Sequence, residues 1–391
     1  NSVHVETFED AASPAAGFSI RPSVSRDSAS VLVPPDVSIC RDCANELFDP
    51  SDSRYLYPFI NCTNCGPRYS IITAVPYDRP STTMAAFTMC AGCEKEYGDP
   101  ASRRFHAEPN ACARCGPKVW LADKSGQALD EEGINHLAIR AAQKLLKKGA
   151  ILAIKGLGGF HLACDAQNNE TVKRLRALKR KAWGDKFSPS NKPFAIMSPD
   201  VDTVKTFAKV SDEEESALEG RVRPIALLEK RFPERISSQV APGCGNYGVM
   251  LPYTPLHILL FKVGAAGFTA LVMTSGNLSE EPIIISNGEA VEKLLNIADY
   301  LLLHDRDIYM RVDDSIVRVE AGRTRVVRRA RGFAPECIEL GGAAPEILSV
   351  GAELKNTFCL TKGAAAVASQ HIGDLENIDC LGFFEETLKN L

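Results

Sequence analysis

Four CxxC pairs, Cys40/Cys43, Cys62/Cys65, Cys90/Cys93 and Cys112/Cys115, constrain what the stretch around them can fold into. In each half the two pairs are separated by 18 residues, and the second half repeats the first at a register of 50. The repeat extends beyond cysteine. Glu46 matches Glu96, Asp49-Pro50 matches Asp99-Pro100, Arg54 matches Arg104, and Cys65-Gly66-Pro67 matches Cys115-Gly116-Pro117. A CxxC turn aims two thiolates at one point, and a second turn about 15–20 residues on completes a tetrahedral site. Zinc suits such a site because it has no d-electron preference and no redox chemistry of its own. Neither unit is long enough to bury a self-sufficient core, so the metal would supply its folding free energy.

The expectation is therefore two structural zinc ions. One is held by Cys40, Cys43, Cys62 and Cys65, the other by Cys90, Cys93, Cys112 and Cys115, with His106 an ordinary loop residue. Disulfides and iron–sulfur clusters compete with this reading, but the repeated spacing favours zinc. Cys164, Cys244, Cys337, Cys359 and Cys380 are expected to be free thiols, and a thiol-rich chain suits the reducing cytoplasm.

At 391 residues the chain has room for two to four domains. A net charge of −4 gives no global field for nucleic acid, so any basic site has to be local. No apolar run approaches a membrane span. The chain opens without Met or a signal pattern, which suggests that upstream sequence has been removed. Phe18 to Arg21 reads as the last strand of a missing domain and Pro22 to Asp36 as a linker. Residues 37–120 hold the cysteine repeat, with a short apolar run from Tyr69 to Val75 between its halves. The polar tract Lys124 to Gly133 then separates it from the next domain.

From Ile134 to Ala334 helix and strand signals alternate. Leu137, Ala138, Ala141, Ala142, Leu145 and Leu146 mark one helical face, closed by Lys147, Lys148 and Gly149. Helix starts are read at Asn169, Ser211 (a capping box with Glu214), Thr254-Pro255 and Asn287. Strands are read at Ile151 to Ile154, Phe194 to Met197, Ile225 to Leu228, Leu271 to Met273, Tyr300 to Leu303, Ser315 to Val319 and Thr324 to Arg328. The fold class is α/β (α+β), one twisted mixed sheet covered by helices.

The chemistry rests on local clusters. Gly156-Leu157-Gly158-Gly159-Phe160-His161 misses the third glycine of a dinucleotide loop, and no P-loop occurs, so the glycines serve a tight turn and close backbone approach. Lys173, Arg174, Arg176, Lys179, Arg180 and Lys181 crowd one helix, with Lys186 and Lys192 beyond. The plain reading is a solvated face and the functional one is phosphate neutralisation. Thr274-Ser275-Gly276-Asn277, directly after a strand, can offer hydroxyl, amide and N–H groups to phosphate. Arg306, Arg311, Arg329 and Arg331 flank Asp313-Asp314-Ser315.

Several blocks resemble the HypF family, the carbamoyltransferases of nickel–iron hydrogenase maturation. They include Tyr57-Pro58-Phe59-Ile60-Asn61-Cys62, Arg104-Phe105-His106-Ala107-Glu108-Pro109, Lys192-Pro193-Phe194-Ala195, Met273-Thr274-Ser275-Gly276-Asn277 and Arg329-Ala330-Arg331-Gly332-Phe333. The resemblance implies the end of an acylphosphatase-like domain and linker (1–36), tandem four-cysteine zinc fingers (37–120), a YrdC/Sua5-like nucleotide-binding domain (134–334) and the start of a Kae1-like domain (345–391). It implies that carbamoyl phosphate, through carbamate, and ATP give carbamoyl adenylate by attack of a carbamate oxygen on the α-phosphorus. The group then passes to the C-terminal cysteine of HypE and becomes a cyanide ligand of the hydrogenase iron.

By the same resemblance Ser275, Asn277, Ser315 and Arg311 hold the nucleotide. Lys192, Arg331 and either Lys181 or Lys186 neutralise charge, and His161 lines the carbamate pocket or is a half-buried histidine at a strand start. Mg²⁺ accompanies ATP, with Asp313 and Asp314 as its carboxylates unless they pair with Arg311 or Arg306. The family's basic segment before Lys192-Pro193 is interrupted over Ala182 to Ser190. Either Lys186 takes the lysine role with Ser188 in the arginine place, or Lys181 does and an insertion follows. With the acylphosphatase-like site absent and the Kae1-like part stopping at Leu391, only the middle, adenylating reaction is expected to remain. Two rival readings are a zinc-ribbon plus YrdC-like module with weak double-stranded RNA binding, and a threonylcarbamoyl-adenylate synthase.

Overall fold

The computed structural model describes residues 33–129, 133–182, 192–263, 267–278 and 281–391. The strand read at Phe18 to Arg21, most of the linker, Lys186 and Ser188 lie outside them. Ten strands form one mixed sheet: β1 (Val119–Ala122), β2 (Leu152–Lys155), β3 (Phe160–Asp165), β4 (Ala195–Met197), β5 (Ile225–Glu229), β6 (Asn246–Met250), β7 (Leu271–Ser275), β8 (Tyr300–His304), β9 (Ile316–Glu320) and β10 (Arg323–Arg328). Their order is β1-β8-β2-β3-β7-β4-β6-β5-β9-β10. The pairs β2/β8, β4/β6 and β5/β9 are parallel, and the others antiparallel.

Alternating side chains divide between two cores, as the period of a strand requires. Leu152, Ile154, Leu271, Met273 and Leu302 face helices His136–Lys147 and Pro255–Lys262. Ala153, Leu162, Val272, Leu301 and Leu303 face helices Asn169–Ala182, Asp212–Glu219 and Asn287–Leu294. Each fully buried aliphatic side chain contributes roughly 1.5–3 kcal/mol. Strand β3 is buried on both faces, so its sequence has no alternation to read, and β6 carries no clear strand signal either. Strand β1 falls where the sequence suggests the end of the cysteine region, yet Val119 already pairs with His304 in the sheet.

Helix starts follow local side-chain chemistry. The Ser211–Glu214 capping box is present, and Thr254 accepts the His257 amide at 3.2 Å ahead of Pro255. Two caps sit one residue earlier than the sequence suggests. Asn168, not Asn169, accepts the Thr171 amide at 3.0 Å, and Ser286, not Asn287, accepts that of Glu289 at 3.1 Å. Asn169 and Asn287 instead bond outward, to Ser237 and to the His304 carbonyl.

The cysteine region docks on the sheet through the Ile39 amide, bonded to Tyr253 O at 3.0 Å, and its Leu47, Tyr57, Phe59 and Ile60 join the first core. Beyond the sheet, β11 (Cys337–Ser349) and β12 (Cys359–Ala368) form a two-stranded ribbon followed by helix Ile378–Asn390. Phe358, Ile372 and Phe383 of this segment pack with Tyr69, Met310 and Val312, and Tyr69 donates to Gln370 at 2.8 Å. Of the apolar run Tyr69 to Val75, Tyr69 thus docks the C-terminal segment, Ile71 joins the first core and Val75 is exposed. No helix of the described residues is long and apolar enough to cross a membrane.

Candidate functional site

The eight paired cysteines form two clusters, and within each the four sulfurs lie within 4.8 Å of one another. Their partners are those the spacing predicts, with no interleaving between halves. Sulfurs at about 2.3 Å from a central zinc stand about 3.8 Å apart at the corners of a tetrahedron. The contacts fit: Cys40–Cys62 is 3.7 Å, Cys62–Cys65 3.8 Å, Cys90–Cys112 3.7 Å and Cys112–Cys115 3.8 Å. None is a disulfide. His106 belongs to neither cluster; its ring lies tilted against Tyr97 and meets Phe105 edge-on.

The two halves clasp each other reciprocally. Arg54 of the first reaches the second: its Nη1 donates to Glu96 at 3.1 Å, Nη2 to Asn110 at 2.9 Å and to Cys93 Sγ at 3.4 Å, and Nε to Ala111 O at 2.9 Å. Arg104, its repeat mate, pairs with Glu46 and sends Nε to Asn61 O at 3.1 Å. Arg103 adds Nη2 to Cys43 Sγ at 3.5 Å. Each sulfur cluster therefore accepts a hydrogen bond from an arginine of the other half. Such donors orient metal ligands and disperse their charge.

The second feature is a cleft of about 390 Å³ between the sheet and the C-terminal segment. Ser275, Asn277, Lys192 and Arg311, all predicted, line it together with Lys179, Asp313, Lys355 and His371. The register His161↔Ser275 sets the end of β7 beside the start of β3. A Cβ on Gly276 would stand 2.8 Å from that of Phe160, so only glycine lets the loop lie so close. The Ser275 hydroxyl donates to Asn277 Oδ1 at 2.9 Å and Asn277 Nδ2 to Glu281 O at 2.8 Å, fixing both polar groups.

Lys179, one helical turn beyond Leu175, points inward and donates to Ser275 O at 2.8 Å. Burial, reinforced by the Lys192 charge, lowers its pKa to about 7. Lys181, the predicted alternative, is exposed and does not line the cleft. Arg176 ties the same helix to the strand ahead, donating to the carbonyls of Gln239, Lys192 and Val240.

Three predicted residues lie beneath the cleft instead of on it. Arg331 is buried over Tyr253 at 3.5 Å, and its nitrogens go to Asp314 at 2.8 Å, Val222 O at 2.7 Å and Arg223 O at 2.9 Å. Ser315 bonds the Arg331 carbonyl and the Ala330 amide, both at 2.9 Å. His161 is fully buried, not half-buried, with Nε2 2.9 Å from Asp314. Burial alone would raise the Asp314 pKa, but Arg331 and His161 hold the carboxyl far below the usual range. The aspartates do not pair with Arg311 or Arg306: Asp314 takes Arg331, and Asp313 takes His371 Nδ1 at 2.9 Å. Burial would raise Asp313 too, yet the His371 bond and the Arg328 charge keep it low. His371, from the C-terminal segment, has no local signal in the sequence. The Gly156 to Gly159 turn has the expected tightness, since a Cβ on Gly158 would stand 2.4 Å from Val312 O.

Family models match along the chain: the HypF finger at 39–72 and 89–122, the Sua5/YciO/YrdC model, described as telomere recombination, at 144–330, and the HypF Kae1-like domain at 342–391. Carbamoyltransferase HypF2 of Cupriavidus necator is 47% identical over 379 residues, covering 93% of this chain and 46% of the relative. The carbamoyltransferase HypF of Synechocystis is 48% identical over 376 residues, covering 96% and 47%.

The chain belongs to the HypF family.

A solved structure of full-length HypF in a phosphate- and nucleotide-bound form superposes with a TM-score of 0.85 at 48% identity, covering 93% of this chain and 46% of that one. The chain thus spans about half the length of the HypF relatives it matches. In HypF terms the two sulfur clusters are the four-cysteine zinc sites of the paired fingers. The cleft lies between the YrdC-like domain and the start of the Kae1-like one.

Proposed function

We propose that the chain carries the adenylate-forming step of a HypF carbamoyltransferase. ATP seats in the cleft with its phosphates toward Ser275, Asn277, Lys179 and Lys192. A carbamate oxygen attacks the α-phosphorus, pyrophosphate leaves, and the lysines balance the charge gathered there. Asp313 is the predicted carboxylate that faces the Mg²⁺ of MgATP, while Asp314, Ser315, Arg331 and His161 act by holding the cleft floor. The carbamate derives from carbamoyl phosphate, and the acceptor is the C-terminal cysteine of HypE. A chain whose cysteines form no disulfide suits a cytoplasmic setting. The observation that carries the reading is one cleft holding a pinned Ser-Gly-Asn loop against two lysines.

Calorimetry of ATP binding tests it. Ser275→Ala or Asn277→Ala should weaken binding by roughly 1.5–3 kcal/mol, the worth of a hydrogen bond to a charged group, with the melting temperature little changed. Unchanged affinity in both variants would place the nucleotide elsewhere. Pyrophosphate release with fresh bicarbonate–ammonia, carbamoyl phosphate or threonine as co-substrate separates the carbamoyl reading from the threonylcarbamoyl one.

A further inference from the structure

A separate pocket lies at the seam between the fingers and the sheet, lined by Lys155, His304 and Arg306 opposite Phe59, Pro67 and Tyr253. Lys155 ends β2 and His304 ends β8, so the parallel pairing of these strands sets the two side by side. Lys155 is 1% exposed and Arg306 6%. The Lys155 ammonium donates one hydrogen bond, 3.1 Å to His304 O. The Arg306 guanidinium lies 5.0 Å over the Phe59 ring, and its Nε has no partner. His304 Nε2 faces Gly156 O at 3.2 Å and so carries the proton, leaving Nδ1 buried without a partner.

Among the described residues neither cation forms a salt bridge. Asp36, Asp305 and Asp307 act on them only through space. Asp305 accepts the Lys118 amide, and Asp36 accepts the Arg68 and Ser70 amides. Burying an unpaired charge is costly, and a buried cation either loses its proton or is joined by an anion. Lysine can take the first course. Arginine keeps its proton in proteins, so for Arg306 the second remains.

We propose that this pocket binds one small inorganic anion, of the chloride or bicarbonate class, between Arg306 and Lys155. The anion sits where the Phe59 loop of the first finger meets the strand ends, so its occupancy fastens the fingers to the nucleotide domain. Neither cation lines the ATP cleft, so this site and that one are separable.

The test uses the full chain with its zinc, in a gluconate buffer free of chloride and bicarbonate. Sodium chloride or sodium bicarbonate is titrated at constant ionic strength while the melting temperature is followed. The wild type should show a saturable rise with at least one of the two. Saturation by bicarbonate alone would identify a planar oxyanion, and by chloride alone a halide. Arg306→Met should weaken the apparent affinity at least tenfold, whereas Lys179→Gln, in the cleft, should keep it. If Arg306→Met does not fold, Lys155→Met serves, with an expected loss of severalfold. No saturable rise in the wild type, or a rise unchanged in these seam variants, overturns the proposal.

Discussion

Arg54 in the fingers and Arg306 at the seam are both buried arginines, 2% and 6% exposed, but their surroundings differ in kind. Arg54 meets Glu96, a cysteine sulfur, an amide and a carbonyl, and although burial opposes its charge, Glu96 with the Cys93 and Asp52 charges outweighs that and raises its pKa. Arg306 has a ring and distant aspartates, and burial pulls its pKa down to about 10. The comparison teaches that burial alone does not mark a cation as structural. What distinguishes the two is whether the protein itself completes the hydrogen-bonding capacity of the guanidinium.

The harshest way to break the contrast is to remove a metal ligand. Structural zinc carries about 10–16 kcal/mol of apparent binding free energy in finger peptides. Cys112→Ser should therefore unfold the second finger. Because Arg54 and Arg104 bridge the halves, the first should lose zinc as well, and metal analysis should fall from two ions toward none. A variant that holds one full equivalent would show that the halves stand alone.

A milder perturbation takes the arginine itself. Arg54→Met leaves Glu96 without its main partner, and since that carboxylate is about one-third exposed, the loss should fall below the 3–5 kcal/mol of a fully buried pair, at roughly 2–3 kcal/mol. Stopped-flow zinc release to a chelator should then quicken at the Cys90–Cys115 site more than at the Cys40–Cys65 site. Arg306→Met in anion-free buffer should cost less than Arg54→Met, because no carboxylate is stranded. Equal losses from urea unfolding would dissolve the distinction.

The smallest expected effect concerns pH. With a pKa of about 7, the Lys179 ammonium is charged below neutrality and discharges above it. ATP affinity should then fall severalfold from pH 6 to pH 8.5, and Lys179→Gln should be weaker and flatter over that range. A wild-type profile with no slope would mean that Lys179 keeps its proton or does not meet phosphate.

The parts legible in the sequence are those whose chemistry is local. A CxxC turn declares its own geometry, and the Ser275–Asn277 loop announces itself by following a strand. Lys179 is hidden among six cations on one helix, although its spacing from Leu175 puts it on the buried face. Arg331 and Ser315 look like nucleotide contacts in the sequence because nothing local reveals that Val222, Arg223 and Ala330 satisfy them. His371 reaches the cleft only because the ribbon and helix beyond β10 fold back against Met310 and Val312.

The reciprocal finger clasp also bears on ancestry. A 50-residue unit that was copied once has become dependent on its copy, since Arg54 completes the surroundings of Cys93, and Arg103 those of Cys43. Deleting either copy should not restore a simpler working finger, because the survivor keeps a glutamate and a thiolate whose partner lay in the lost half. Each half therefore needs the other for its own hydrogen bonds to be complete.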